Sequence, residues 1–169
     1  PSLVESLLHA GLRDGTGLKV LGSGVGASPG LASGVLCLTA EAVLDASDRG
    51  EAAVLVCDET TPADEIGMHL ASGIVTARGG MASHAAIVAR GWGIPAVVGL
   101  ADLQVAGDHA VLGGRRLEEW SAVSLDGTTG EVFAGVAEVA VADEIPELAV
   151  LLSWADEVRG DRVGVRANA

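Results

Sequence analysis

The chain has 169 residues, of which 49% are hydrophobic and 20% charged, which fits a folded domain with connecting segments. Its formal net charge of −13 argues against nucleic acid or an anionic membrane as a partner, because both repel an acidic surface. Aromatic residues make up only 2%, so the core must be mainly aliphatic. Cys37 and Cys57 have no metal-ligand spacing and are expected to be reduced core residues.

Two features argue against an exported or membrane-embedded chain. The opening residues lack the basic and apolar pattern of a signal peptide. The most apolar stretch, residues 85–100, is interrupted by Arg90, Gly91, Gly93 and Pro95, so it is not expected to span a membrane. We therefore expect a cytoplasmic protein with no membrane partner and no nucleic-acid partner.

Residues 1–17 are expected to form a short N-terminal helix and a glycine-rich linker. Residues 18–135 form the main predicted domain, in which runs with strand and helix spacing alternate. In chain order we expect strands at 20–26 and 34–38, a helix at 40–47, a strand at 52–57, a helix that begins at Thr61, a strand at 73–76, a helix from about 84 to 90 and a strand at 95–99. This β-α-β-α-β order favours a parallel sheet with right-handed crossovers.

The pattern changes after Leu100, where short strand-like pieces are separated by glycine-rich turns. The pieces at 110–112, 122–125 and 131–133 are predicted to form antiparallel hairpins. Residues 136–169 are expected to hold a linker, an amphipathic helix at 146–158 and a strand beginning at 163. In this interpretation the last strand starts a following domain.

The stretch 78–90 contains the strongest candidate site. Gly79 and Gly80 follow a predicted strand, so the backbone can turn sharply there and expose its N–H groups. Ser83 is expected to cap the next helix, which places His84 in the first turn. A helix start offers free N–H donors and the positive end of the helix dipole, and both favour a bound phosphate.

The residue types in this stretch suit a covalent phosphoimidazole, which is a form of nucleophilic catalysis. Arg78 and Arg90 are cations that could contact the phosphate. Spacing alone leaves a second interpretation open, because a histidine at a helix start is more often an ordinary capping or hydrogen-bonding residue. His84 is still the best candidate of the four histidines, since the other three lack a glycine-rich lead-in.

Residues 79–91, with the sequence Gly-Gly-Met-Ala-Ser-His-Ala-Ala-Ile-Val-Ala-Arg-Gly, closely resemble the phosphohistidine signature of PEP-utilising enzymes. The resemblance continues through residues 93–99. Flanking pieces look like the pyruvate phosphate dikinase branch of that family, so the resemblance covers nearly the whole chain. These pieces lie at 27–30, 59–64, 125–132 and 154–169.

The resemblance implies an α/β fold of the swivelling β/β/α type, with one parallel sheet, one antiparallel sheet and helices on one side. It implies that His84 accepts a phosphoryl group from ATP and passes it reversibly to pyruvate to form PEP, while phosphate gives pyrophosphate. The implied partners are an ATP-grasp domain and a PEP/pyruvate barrel of the same polypeptide, with Mg²⁺ bound in those flanking domains. A homodimer through a domain outside this chain is also compatible with it.

Two alternatives stay open at this point. The chain could be the same carrier module of a PEP synthase-type enzyme or another phosphotransferase, or a non-catalytic relic of the fold. The chain by itself is expected to lack ATP and pyruvate sites.

The sequence also supports predictions for three residues outside the proposed phosphate contacts, namely Thr60, Thr61 and Ala82. Thr60 and Thr61 are expected to cap a helix rather than to contact phosphate. The family usually has a threonine two residues before its histidine, which a regulatory protein phosphorylates, but Ala82 stands at that position here. Since alanine has no hydroxyl, the resemblance implies that this switch is absent.

Overall fold

The computed structural model describes residues 18–137 together with residues 153 and 154, which are helical. The predicted N-terminal helix, the linker before residue 18 and nearly all of the predicted elements after residue 137 lie outside the described residues. The domain boundaries after residues 17 and 135 therefore stay predictions.

Eleven strands and three helices occupy residues 18–137. The strands are β1 (Val20–Ser23), β2 (Val25–Ser28), β3 (Leu31–Cys37), β4 (Ala53–Cys57), β5 (Gly73–Thr76), β6 (Ala96–Val98), β7 (Gln104–Ala106), β8 (His109–Leu112), β9 (Arg115–Glu118), β10 (Ala122–Asp126) and β11 (Glu131–Ala134). The helices are α1 (Ala40–Asp48), α2 (Glu65–Leu70) and α3 (His84–Trp92), and a single 3-10 turn at Pro62–Asp64 precedes α2.

Eight strands form one mixed sheet in the order β1-β11-β10-β3-β4-β5-β6-β2. Its centre, β3 to β6, is parallel, and the outer pairs are antiparallel. Strands β1 and β2 lie at opposite ends of this order although Gly24 alone separates them in the chain. The sheet must therefore curve round until its two edges come together.

Alternation along the parallel strands produces two hydrophobic clusters. On β4, Ala53 and Leu55 belong to the cluster shared with the three helices, whereas Val54 and Val56 belong to the cluster on the opposite face. All four residues are at most 3% exposed, as expected for a strand buried on both faces. All three helices thus cover one face of the sheet. The continuous apolar run of β4 contributes side chains to the clusters on both faces.

A second, three-stranded antiparallel sheet covers the other face in the order β7-β8-β9. It contributes Ala110, Leu112 and Leu117 to the cluster on the face opposite the helices, which we call the inner cluster, and each is at most 5% exposed. The outer positions of β9 are exposed and charged. This alternation is typical of an antiparallel sheet with one face on the core and one in water.

The predicted fold class is confirmed: parallel strands, a separate antiparallel sheet and helices on one side are all present. The parallel strands, however, belong to a sheet with antiparallel outer strands. The prediction of one strand at 20–26 is wrong, since two strands at opposite edges of the sheet occupy 20–28. The local sequence does not reveal this break, because the break follows from the pairing of β1 with β11 and of β2 with β6, which lie far away in the chain.

Candidate functional site

The carboxyl ends of neighbouring parallel strands meet at one edge of the sheet, and the candidate site lies there. Strands β4 and β5 pair up to Cys57 and Thr76. Beyond the strands, the Arg78 amide still donates to the Asp58 carbonyl at 2.8 Å. The next residues turn away from this edge and lead into α3. Such edges, with loops that join a strand to a helix, are where ligands bind in open α/β sheets.

Ser83 and His84 begin α3 as the sequence predicts. Ser83 has extended backbone angles, and its Oγ accepts a hydrogen bond from the Ala86 amide at 3.3 Å. His84 is therefore the first helical residue, in the turn where backbone N–H groups lack helical partners. The helix ends at Gly93, which adopts the left-handed conformation typical of a residue after a helix end.

Three alanines fix α3 on the sheet. Ala85, Ala86 and Ala89 are at most 2% exposed and belong to the helix-covered cluster. Their small side chains let the helix axis approach the strands closely, and the Ser28 hydroxyl donates to the Ala89 carbonyl at 3.5 Å. This close seat fixes the helix start, and with it the position of His84, relative to the strand ends.

The imidazole of His84 is half-buried, and its Nε2 is buried without a hydrogen-bond partner. An unpaired buried polar atom is costly, on the order of 1–3 kcal/mol, and usually marks a missing partner. A phosphoryl donor can reach this nitrogen only after the ring turns outward. Such a nitrogen, beside the free N–H groups of a helix start, can form a bond to phosphorus.

Gly79 and Gly80 play different parts in the loop before α3. Gly79 has φ +110°, a conformation that residues with a side chain rarely adopt, and an added Cβ would lie 2.9 Å from the Ser83 Cβ. Gly80 has ordinary φ, and a Cβ there would meet nothing within 4 Å. The fold therefore requires glycine at 79, whereas no contact among the described residues requires it at 80.

The two predicted arginines are placed differently. The Arg90 guanidinium reaches back over the helix start and donates to the Met81 carbonyl. The Arg78 side chain is exposed and makes no hydrogen bond or ion pair within residues 18–137. The structure thus ties Arg90 to the loop that contains the site, while Arg78 stands at its rim. Ala82 is exposed in the same loop, next to Ser83.

The other described histidines are engaged elsewhere. The His69 ring packs edge-on against Trp92 with centroids 4.8 Å apart, and both rings are partly exposed. His109 Nδ1 lies 2.6 Å from an Asp108 carboxylate oxygen on the hairpin sheet. Neither follows a glycine-rich turn or begins a helix, so His84 is distinct among them.

Thr60 and Thr76 are residues near the site that sequence reasoning misjudged or missed. Thr61 is an N-cap as predicted, and its backbone amide donates to the Asp64 carboxylate at 2.8 Å, but Thr60 does not cap. The helix predicted to begin at Thr61 starts as a 3-10 turn, and α2 begins only at Glu65. Thr60 is 5% exposed, and its Oγ1 has no partner. Thr76 is fully buried and donates to the Arg78 carbonyl at 2.7 Å. Only the tertiary structure distinguishes these hydroxyls from ordinary strand and cap residues.

Both cysteines are free, as predicted. Burial raises the pKa of the Cys37 thiol to about 11, and burial together with the Asp64 carboxylate raises that of Cys57 to about 12. Thiols with such pKa values stay protonated and unreactive near neutral pH. Cys57, although it ends β4 at the edge of the site, is therefore a poor nucleophile.

No helix within the described residues is long and apolar enough to cross a membrane.

Residues 50–130 match the family model described as the mobile domain of PEP-utilising enzymes. The match starts before β4 and ends in the turn between β10 and β11, so it includes the whole candidate site. It leaves out β1 to β3, α1 and the segment after residue 130.

Over its full length the chain is similar to pyruvate, phosphate dikinases. It is 45% identical to the chloroplastic enzyme of Flaveria trinervia over 170 residues, which are 98% of this chain and 18% of that protein. It is 43% identical over 173 residues to chloroplastic enzyme 1 of Arabidopsis thaliana, covering 100% of this chain and 18% of that protein. The Clostridium symbiosum enzyme is 40% identical over 173 residues, which are 98% of this chain and 19% of that protein.

The chain thus spans less than a fifth of the length of these relatives. Among solved structures, it is similar to the solution structure of an Enzyme I protein, with a TM-score of 0.36 and 25% identity. That likeness covers 64% of this chain and 38% of the other.

Proposed function

The chain belongs to the mobile-domain family of PEP-utilising enzymes and resembles pyruvate, phosphate dikinases throughout; on this basis we propose that it is a phosphoryl carrier whose nucleophile is His84. The observation that supports the proposal best is the unpaired Nε2 of His84 on the first residue of α3. A resting histidine with a structural role would normally have a partner for that nitrogen.

In the proposed transfer step, the His84 ring first turns outward so that its Nε2 becomes accessible to the donor. The Nε2 lone pair attacks the phosphorus of the donor, so the N–P bond forms while the bond from phosphorus to the leaving oxygen breaks. With PEP as donor, enolpyruvate leaves, and the proton that the imidazole gives up ends on pyruvate. The free N–H groups at the start of α3 then face the dianionic phosphoryl group, which the helix dipole also favours.

The other predicted residues have supporting roles in this proposal. Ser83 holds the helix start and so directs the imidazole. Gly79 and Gly80 leave room for a phosphoryl group beside the backbone. Arg90, tied to the Met81 carbonyl, and Arg78 at the rim supply positive charge near the group in an otherwise acidic chain.

The remainder of the reaction belongs to segments outside this chain. We propose that His84 exchanges phosphoryl groups with ATP and phosphate at an ATP-grasp domain and with pyruvate at a barrel domain of the same polypeptide, and that Mg²⁺ acts in those domains. Among the described residues, no cluster of three or more His, Cys, Asp or Glu could hold a metal ion. A cytoplasmic location and a homodimer formed elsewhere in the polypeptide complete the proposal.

The test is phosphoryl uptake from radiolabelled PEP and Mg²⁺ by the full-length polypeptide. We expect one acid-labile, base-stable label on His84, which His84→Asn abolishes while the thermal unfolding temperature stays close to that of the wild type. His109→Asn is the matched control, since it removes another partly buried imidazole, and it should keep the label.

A label that persists in His84→Asn, or that maps to another histidine, would contradict the assignment. No label in the wild type would favour the relic interpretation. Labelling without conversion of pyruvate, ATP and phosphate to PEP, AMP and pyrophosphate would favour another phosphotransferase.

A further inference from the structure

Gly79, the first glycine before α3, lies between two other parts of the chain. On one side is Ser83, because a Cβ on Gly79 would come within 3.0 Å of the Ser83 Oγ. On the other side is Gly99, just after β6, where an added Cβ would lie 2.7 Å from the Gly79 carbonyl oxygen. Gly99 also has φ +71°, in the left-handed region. A side chain at 99 would therefore push directly on the loop that leads to His84.

Thr76, the last residue of β5, is hydrogen-bonded both to the loop before Gly79 and to the segment after Gly99. Its hydroxyl donates to the Arg78 carbonyl at 2.7 Å, which turns the chain just before Gly79. Its own carbonyl accepts a hydrogen bond from the Leu100 amide at 3.1 Å, just after Gly99. Thr76 is fully buried and Leu100 is 1% exposed, so both ends of this connection are anchored in the core.

We propose that Thr76 and Gly99 are positioning residues for His84, and that they act by holding Gly79 against Ser83. The Thr76 hydroxyl fixes where the loop leaves β5, and the missing side chain of Gly99 lets the Gly79 peptide settle beside β6. Ser83 then lies where its Oγ accepts from Ala86, so α3 begins at His84 with one orientation of the imidazole. The catalytic meaning of this arrangement rests on the proposed function.

Small displacements at this point should matter for transfer. A Cβ placed 2.7 Å from a carbonyl oxygen must force one of the two segments to move. A displacement on the order of 1 Å at a reacting group can lower a rate by about 10²-fold. The effect should appear in kcat for phosphoryl transfer and leave the KM for PEP unchanged, because PEP binds in another domain in this proposal.

The first experiment compares Gly99→Ala with Gly113→Ala in the full-length polypeptide. Gly113, in the turn after β8, matches Gly99 closely: its φ is +59°, and an added Cβ would lie 2.1 Å from the Leu21 carbonyl oxygen. We expect Gly99→Ala to slow labelling of His84 by PEP about 10–100-fold. Gly113→Ala, which strains a turn on the other face, should lower the unfolding temperature but keep the labelling rate of the folded protein within about twofold of wild type.

The second experiment asks whether the Thr76 hydroxyl acts as described. Thr76→Val keeps the shape but cannot donate to the Arg78 carbonyl, so labelling should slow at least about tenfold. Thr76→Ser keeps the donor and should restore most of the rate. Equal rates for the valine and serine variants, or a Gly99→Ala rate equal to that of Gly113→Ala, would overturn the proposal.

Hydrogen exchange of the Ala86 amide separates this inference from the proposed function. That amide is capped by Ser83, so Gly99→Ala should speed its exchange while Gly113→Ala should not. If exchange responds in this way but the wild type takes no label, the positioning holds and the proposed function fails. If His84 is labelled in every variant at one rate and Ala86 exchange is unchanged, the positioning proposal fails alone.

Discussion

The loop and helix around His84 differ from the hairpin sheet on the opposite face in how their polar groups are paired. On the hairpin sheet, Arg116 bonds Glu118 at 2.6 Å, and His109 bonds Asp108. In α3, the buried Nε2 of His84 lacks a partner. This atom and Oγ1 of Thr60, which lies between β4 and the 3-10 turn, are the two such side-chain atoms found among the described residues. The unpaired nitrogen of His84 thus lies where we propose the chemistry, whereas the hairpin sheet mainly completes the core.

From this comparison we expect substitutions in the hairpin sheet to lower stability without slowing phosphoryl uptake. The largest expected effect is a loss of unfolding free energy on substitution in that sheet. Leu112 is 1% exposed and lies in the inner cluster. Leu112→Ala should lower the free energy of unfolding by about 2–5 kcal/mol, because it removes buried methyl groups and leaves a cavity. Denaturant unfolding measures the loss.

The labelling rate of His84 by PEP should stay near wild type in Leu112→Ala at temperatures where the variant is folded. A fall in that rate, with the fold intact, would show that the hairpin sheet takes part in positioning the site.

In α3 we expect a smaller loss of stability, but a clear slowing of His84 labelling. Ala86 is fully buried against the sheet, so Ala86→Leu must push the helix outward and should cost about 1–3 kcal/mol. Because the helix carries His84 at its start, labelling should slow at least about tenfold. Ile87→Leu is the control, since Ile87 is 57% exposed on the same helix and should change neither property. Normal labelling by Ala86→Leu would mean that the seat of α3 does not orient His84.

The last prediction concerns the dependence of stability on alkaline pH. It depends on Cys37, which lies in the helix-covered cluster. Burial raises the pKa of Cys37 from 9.0 to about 11, so the folded state holds its proton more tightly than the unfolded state. This stabilisation is complete below about pH 9 and is lost as pH rises toward 11, on the order of 1 kcal/mol per pH unit. The chain has no tyrosine, so few other groups titrate there.

Cys37→Ala should therefore flatten the dependence of unfolding free energy on pH between 9 and 11, with Cys57 responsible for what remains. Denaturant unfolding at several pH values measures this slope. An unchanged slope would show that Cys37 is not desolvated in the folded protein.

Much of the local structure around the candidate site could be predicted from the sequence. The start of α3 at Ser83 and His84 follows from a capping residue after two glycines, and the buried strand β4 follows from its continuous apolar run. The same local logic placed an N-cap at Thr61, but it could not tell Thr61 from its neighbour Thr60. Burial of Thr60 depends on what packs over it, which no pattern within a few residues records.

The sequence by itself determined where α1 and α3 start, that β4 is buried on both faces and which histidine follows a glycine turn, because these depend on propensities and periodicity within one segment. The tertiary structure alone decided that β1 and β2 lie at opposite edges of one sheet and that Gly99 meets Gly79. It also decided that Thr76 joins the loop before α3 to the segment after β6. The physical reason is the same in each case: these contacts join residues far apart in the chain, and their geometry exists only once the sheet has closed.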